Sequence, residues 1–270
     1  MPWNVAVDTE IGDRDEQQDR FLMAQSPDGN RCLLVVADGA GGHKTGGAAA
    51  EAAIEHIREQ LPALLNSRDP QNALHGLIQE CNEQVLNVGG DELACTTLVM
   101  VLADDDQVFW AHVGDSRAYL LRHGETVIRT TDHSLVELHK TNPEAIPDSD
   151  QAVTANQLFM CLGALDQVDP DTDSSLVRDG DTLLLCSDGL WNQVDMQPVT
   201  QAISADPVTT ESLHKWATLA KQGGAGHSDN ITLIAARYHT RPSLFARIMA
   251  ALQRPFPVSY THLRAHETCG

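Results

Sequence analysis

The alternation of apolar and polar positions divides the chain into short strands and longer helices. Apolar runs of strand length, rich in Val, Ile and Thr and bounded by Gly or Asp, occur at 31–37, 96–102, 108–113, 118–121, 182–186 and 231–238. Helical spacing of apolar residues predicts helices over 45–65, 72–87 and parts of 199–221; in the first, Ala49, Ala53, Ile57, Leu61 and Leu64 share one face. Strands arrive both in consecutive pairs and separated by helical pairs, which favours an α/β layered domain. The stretch 141–160 carries Pro143 and Pro147 among many polar residues and reads as an irregular insertion. No internal repeat or low-complexity tract interrupts the pattern, so one domain over 1–240 is the economical expectation. Beyond it, Leu244, Phe245, Ile248, Met249 and Leu252 recur at helical spacing beside Arg247 and Arg254, predicting a basic amphipathic helix over 241–256. Packing on the domain is the simpler use of that helix, and a membrane surface or partner is the other. Residues 257–270, PVSYTHLRAHETCG, resemble translated adapter read-through and are set apart as an artefactual tail, which would put the natural C-terminus outside this sequence.

Composition narrows the class. The 270 residues are 42% hydrophobic and 21% charged, as in a folded soluble protein and unlike a disordered one. With 38 acidic against 18 basic residues the net charge is −20, which argues against nucleic acid as a partner. The acids are concentrated: residues 1–200 hold 34 acidic and 11 basic side chains, and residues 201–270 hold 4 and 7. No apolar stretch approaches the roughly 20 residues of a membrane helix. The opening MPWNVAVDTEIGDRDE has neither a basic leader nor an apolar signal core, so a cytoplasmic protein without a transmembrane segment is expected. Cys32, Cys95 and Cys186 lie in or beside apolar runs without CxxC spacing, which predicts buried free thiols in a reducing compartment.

The chemistry sits at strand ends. The apolar run ending at Ala37 leads into Asp38, Gly39, Ala40, Gly41 and Gly42. A P-loop ending at Lys44 and Thr45 would need glycine where Asp38 and His43 stand, and a dinucleotide fingerprint would need glycine at Lys44. Asp38 is therefore the feature to explain. The pattern repeats where Leu183–Ser187 leads into Asp188 and Gly189, where Asp229 and Asn230 precede the last strand, and where Gly114, Asp115, Ser116 and Arg117 stand between two strands. Several carboxylates brought together need a cation, and hard oxygen donors select Mg²⁺ or Mn²⁺ over zinc. An EF-hand at Asp169 fails, because Ser174 replaces the turn glycine and Gly180 the closing glutamate.

The ordered set GDRDEQQD (12–19), VADGAGG (36–42), TTL (96–98), VGDSR (113–117), DHSLV (132–136), CSDGLW (186–191) and SDN (228–230) resembles the metal-dependent type 2C protein serine/threonine phosphatases, in particular their compact bacterial branch. The resemblance runs from about 5 to 238. It implies a four-layer α-β-β-α sandwich, two antiparallel sheets flanked by helices, with a flap over about 138–162 beside the site. It implies that Asp38 bridges two tightly held Mn²⁺ or Mg²⁺ ions, with the Gly39 carbonyl on one and Asp188 and Asp229 on the other. Asp19 would act further out, through water; Arg14 would clamp the phosphate; and Asp115 would hold a weaker third ion. The implied reaction is hydrolysis of phosphoserine and phosphothreonine by direct attack of a water activated between two ions, without a phosphoenzyme. The partners so implied are phosphorylated proteins and an opposing serine/threonine kinase, and the chain would act as a monomer. The surplus of acid on the surface would favour phosphopeptides with basic flanks.

Two positions depart from the family pattern. Ala40 stands where many animal members have a histidine proposed as the leaving-group acid, and Gln18 stands where many members have glutamate. His43 and His227, beside the loops of Asp38 and Asp229, are candidates for the acid, although an exposed loop histidine is the plainer account of each. His133 reads as a structural turn contact near the flap, and Trp110 and Trp191 read as core. The alternative function is a phosphatase-like binding or sensing module without catalysis. Loss of a metal aspartate or of the arginine would mark it, yet Arg14, Asp19, Asp38, Asp188 and Asp229 are all present. An aspartyl-phosphate hydrolase is set aside, since Asp104–Asp106 and Asp171–Asp173 lie in polar stretches without the following Thr or Val in register.

Overall fold

A computed structural model describes residues 2–40, 45–89, 93–142 and 157–240. In chain order these form β1 (Trp3–Glu10), β2 (Arg20–Gln25), β3 (Arg31–Ala37), α1 (Thr45–Leu65), α2 (Pro70–Gly89), β4 (Leu98–Asp104), β5 (Gln107–Val113), β6 (Arg117–Arg122), β7 (Glu125–Arg129), α3 (Leu135–Thr141), β8 (Asp171–Leu176), β9 (Thr182–Cys186), α4 (Asp188–Trp191), α5 (Met196–Ala205), α6 (Thr210–Gly223) and β10 (Ile231–Tyr238). The expected basic helix over 241–256 and the tail over 257–270 lie outside the described residues.

Two five-stranded antiparallel sheets result, one ordered β1-β10-β9-β6-β7 and the other β2-β3-β4-β5-β8. Their inner faces meet through Leu34, Val36, Val99 and Val101 on one side and Leu120, Leu183, Leu185 and Ile234 on the other. The outer face of the second sheet packs Leu33, Val35, Met100 and Leu102 against α1 and α2. The outer face of the first packs Leu184, Leu233 and Ala235 against α5 and α6. Central strands are thus covered on both faces, which is why they read as unbroken apolar runs instead of alternating ones. The architecture is the four-layer sandwich that the family resemblance implies.

The strands not among those expected from the sequence are β1, β2, β7 and β8, and these are the four sheet edges. Strand β8 is DTDSSL with alternating exposure, the stretch whose spacing failed the EF-hand test, and it pairs with β5 along Gln107–His112. The helical signal over 199–221 is two helices. Asp206 and Pro207 part them; Asp195 caps α5, and a Thr209–Ser212 capping box starts α6. The expected insertion begins as a helix, since α3 runs to Thr141; residues 143–156 lie outside the described ones, and the chain returns through bridges Ser134–Leu158 and Thr96–Leu162. Among the described residues no helix is long and apolar enough to cross a membrane.

Candidate metal centre

The strand-end aspartates come from both sheets and meet at one end of the sandwich. Asp38 follows β3 in the second sheet; Asp188 follows β9 and Asp229 precedes β10 in the first; Asp115 lies in the turn from β5 to β6 that passes between the sheets. Together with Arg14 and Gly39 they line a cavity of about 250 Å³.

Each loop is held by bonds to a segment distant in sequence. The Asp38 N–H donates to Thr97 Oγ1 at 3.1 Å, and its carbonyl accepts from Thr97 N at 2.8 Å and Thr96 Oγ1 at 2.9 Å. Ala40 N donates to the Cys95 carbonyl at 3.0 Å. A Cβ on Gly39 would stand 2.5 Å from the main chain of Gly46, so two glycines let the loop after β3 lie directly on the first turn of α1. The loop over 11–18 is laced to the segment that leads into β10. Asn230 accepts from Gln18 N at 2.7 Å and donates to the carbonyls of Ile11 at 2.8 Å and Glu16 at 3.0 Å, and Asp13 accepts from Ser228 N at 2.9 Å. That lacing brings Arg14 to the cavity, where Nη2 donates to Asp229 Oδ2 at 2.8 Å.

Asp19 lies next to Asp38, 4% exposed. Its Oδ2 accepts from Ser187 Oγ at 2.8 Å, and its Oδ1 is buried without a hydrogen-bond partner. Burial, then Asp19, Asp188, Asp115 and Asp229, hold the Asp38 carboxyl well above the usual carboxylate range. Burial pushes Asp188 up to about 8, aided by Asp115, Asp229 and Asp19. Asp19 is raised to about 6 by burial against the opposing Ser187 bond, and Asp115 to about 6 by burial and then Asp132. A protein-only site therefore retains protons that a divalent cation would replace. The orphaned Asp19 oxygen and the all-oxygen donor set fit Mn²⁺ or Mg²⁺.

Of the residues singled out in the sequence, the structure gathers Arg14, Asp38, Gly39, Asp115, Asp188 and Asp229 around the cavity, with buried Asp19 next to Asp38. Gln18 and Ala40 also line it. His227 is exposed and is not among the lining residues, and His43 lies outside the described residues. Trp110 is core as expected, at 8% exposure. Trp191 is not simply core. Its indole N–H donates to the Asp115 carbonyl at 3.1 Å, and the Arg117 guanidinium lies 3.5 Å from its ring centroid. Arg117 also makes a bidentate pair with buried Asp132, at 2.8 and 2.6 Å. Thr97, the second threonine of the TTL string, touches both the Asp38 loop and, through Ser116 Oγ at 2.7 Å, the Asp115 loop. Outside the cavity, His112, His133 and Asp171 form a candidate metal group whose ligand atoms lie within 4.8 Å of one another.

A sequence profile of protein phosphatase 2C matches residues 9–224. The serine/threonine phosphatase stp of Listeria monocytogenes is 34% identical over 213 residues, 76% of this chain and 84% of its own. Among solved structures, the Streptococcus agalactiae serine/threonine phosphatase superposes with a TM-score of 0.76 at 26% identity, over 88% of this chain and all of its own. The catalytic domain of the serine/threonine protein phosphatase PstP, solved with two manganese ions, superposes with a TM-score of 0.70 at 28% identity, over 88% of this chain and 98% of its own.

Proposed function

The chain belongs to the protein phosphatase 2C family, and on that premise we propose that it hydrolyses phosphoserine and phosphothreonine in proteins with Mn²⁺ or Mg²⁺ as cofactor. The observation that carries this reading is the convergence of four strand-end aspartates and Arg14 on one cavity, with no member of the set replaced. An inactive binding module would have no need to keep so many repelling carboxylates together.

When bound, the ions supply an activated water and screen the charge of the phosphate dianion. Asp38, the Gly39 carbonyl, Asp188 and Asp229 are the groups we assign to hold the two tight ions, Asp115 to a weaker one, and Asp19 to orient the donors. Arg14 retains guanidinium N–H groups beyond the one on Asp229, and these would take two phosphate oxygens. Leu158, at the return of the insertion, closes one wall. Such a substrate has to be made by a serine/threonine kinase. Buried free thiols at Cys32, Cys81, Cys95, Cys161 and Cys186 suit a cytoplasmic setting, and a monomer suffices because every residue assigned comes from one chain.

Purified protein and a phosphothreonine peptide test the reading. Phosphate release should require Mn²⁺ or Mg²⁺, stop with chelator, and fall at least about a hundredfold in Asp38→Asn and Asp229→Asn. Metal-independent release, or release by Asp38→Asn at the wild-type rate, overturns it.

A further inference from the structure

His112, His133 and Asp171 have the spacing of a metal site, but the hydrogen bonds give the cluster another use. His112 lies on β5 opposite Asp171 on β8, and His133 lies between β7 and α3. Gly114 donates its N–H to His133 Nδ1 at 3.2 Å, so the neutral ring carries its proton on Nε2, the atom 3.6 Å from Asp171 Oδ2. A cation on Nε2 would move that proton to Nδ1 and break the bond from the Gly114 N–H. His112 donates Nε2–H to the Thr131 carbonyl at 2.8 Å and stacks on His133 with centroids 4.7 Å apart.

The His133 main chain is equally committed. Its N–H donates to the Gly114 carbonyl at 3.0 Å, and its carbonyl accepts from Phe159 N at 2.9 Å. The Phe159 ring lies 5.5 Å from the imidazole, and its neighbour Leu158 lines the carboxylate cavity. Gly114 precedes Asp115, has φ +99°, and is so close to Thr97 that a Cβ would stand 2.7 Å from that side chain.

We propose that His133 is a positioning residue for the Asp115 loop: its Nδ1 receives the Gly114 N–H, its Nε2–H faces the Asp171 carboxylate at 3.6 Å, which favours that tautomer electrostatically, and its main chain grips the returning end of the insertion. The inference rests on the reading of Asp115 as ligand of a weaker ion. Asp171, His133 and Gly114 form a chain from the outer strand β8 to that carboxylate, and displacement of Phe159 would disturb the same loop.

The test is a Mn²⁺ titration of the full chain, read by calorimetry and by phosphothreonine-peptide hydrolysis, in His133→Ala, His133→Asn and Asp171→Ala. His133→Ala should weaken the lower-affinity Mn²⁺ event about tenfold and lower kcat below saturating Mn²⁺, while the tight ions and the peptide KM stay as in the wild type. His133→Asn, whose carbonyl can replace Nδ1 as acceptor, should restore most of the affinity. If His133→Ala does not fold, Asp171→Ala, altered at a half-exposed side chain, should show the same shift in smaller measure. Nitrogen-15 NMR of the wild type should find His133 protonated on Nε2. The opposite tautomer, Mn²⁺ binding unchanged in all three variants, or a tight Zn²⁺ event that needs both His112 and His133 would each overturn the proposal. A wild type that hydrolyses nothing overturns the phosphatase reading instead. In that case hydrogen exchange at the Gly114 amide, faster in His133→Ala than in His133→Asn, still supports the positioning, and equal exchange overturns it.

Discussion

Asn230 makes three bonds to the loop over 11–18 and leaves its neighbour Asp229 facing Arg14. A side chain with one acceptor and two donors is the only uncharged group of that size that can serve two carbonyls and an amide at once. Asn230→Ala should therefore lower the unfolding free energy by about 1–3 kcal/mol, by chemical denaturation, and lower kcat/KM through a misplaced Arg14. Asn230→Asp keeps the acceptor but sets a carboxylate against two carbonyl oxygens, so it should do no better than alanine. At this scale the motifs were legible, because Arg14, Asp38, Asp115, Asp188 and Asp229 each stand in a short distinctive string. The string around Trp191 says only that a tryptophan follows a strand, which fits a core residue; the bond to the Asp115 carbonyl depends on a partner 76 positions away.

Between elements, one of the tight approaches at the site is that of the loop after β3 to α1. Gly39→Ala would drive a methyl group into the Gly46 main chain, and neither backbone can yield without moving the helix or the loop that carries Asp38. The variant should fold with lowered thermal midpoint and bind Mn²⁺ at least about tenfold more weakly by calorimetry. An unshifted binding isotherm would show that the loop tolerates the displacement. The element pattern also explains which strands could be read. Strands β3, β4, β5, β6, β9 and β10 have neighbours on both sides and apolar cover on both faces, so their own composition announces them. Strands β1, β2, β7 and β8 lie at edges; β1, β7 and β8 mix in polar residues, as edges facing water do, whereas β2 carries the apolar run Phe21–Ala24.

For the molecule as a whole, the gathered carboxylates couple stability to pH and metal. Asp188 titrates near 8, and Asp19 and Asp115 near 6, against an ordinary value of 3.8. A raised folded pKa means that the folded state holds protons the unfolded chain has released, so the contribution of these groups to stability is fully present below about pH 4 and is lost as pH rises to about 8. Metal-free protein should accordingly show a thermal midpoint that drops between pH 5 and pH 8. Mn²⁺ should restore more of it at pH 8 than at pH 5, since there fewer protons compete for the carboxylates. A metal-free midpoint that rises over this interval would mean that the carboxylates are not in each other's field. The net charge of −20 adds a general repulsion on top of this local one.

The sequence by itself determined the central strands, the first two helices, the aspartates at strand ends and the family to which they belong, because each of these is written in contiguous residues. Tertiary structure alone decided the edge strands β1, β7 and β8, the division of α5 from α6, the pairing of Arg14 with Asp229, and the contacts of Thr97 and Trp191. All of these depend on groups distant in sequence, whose meeting is set by the packing of two sheets and by no local preference of the chain.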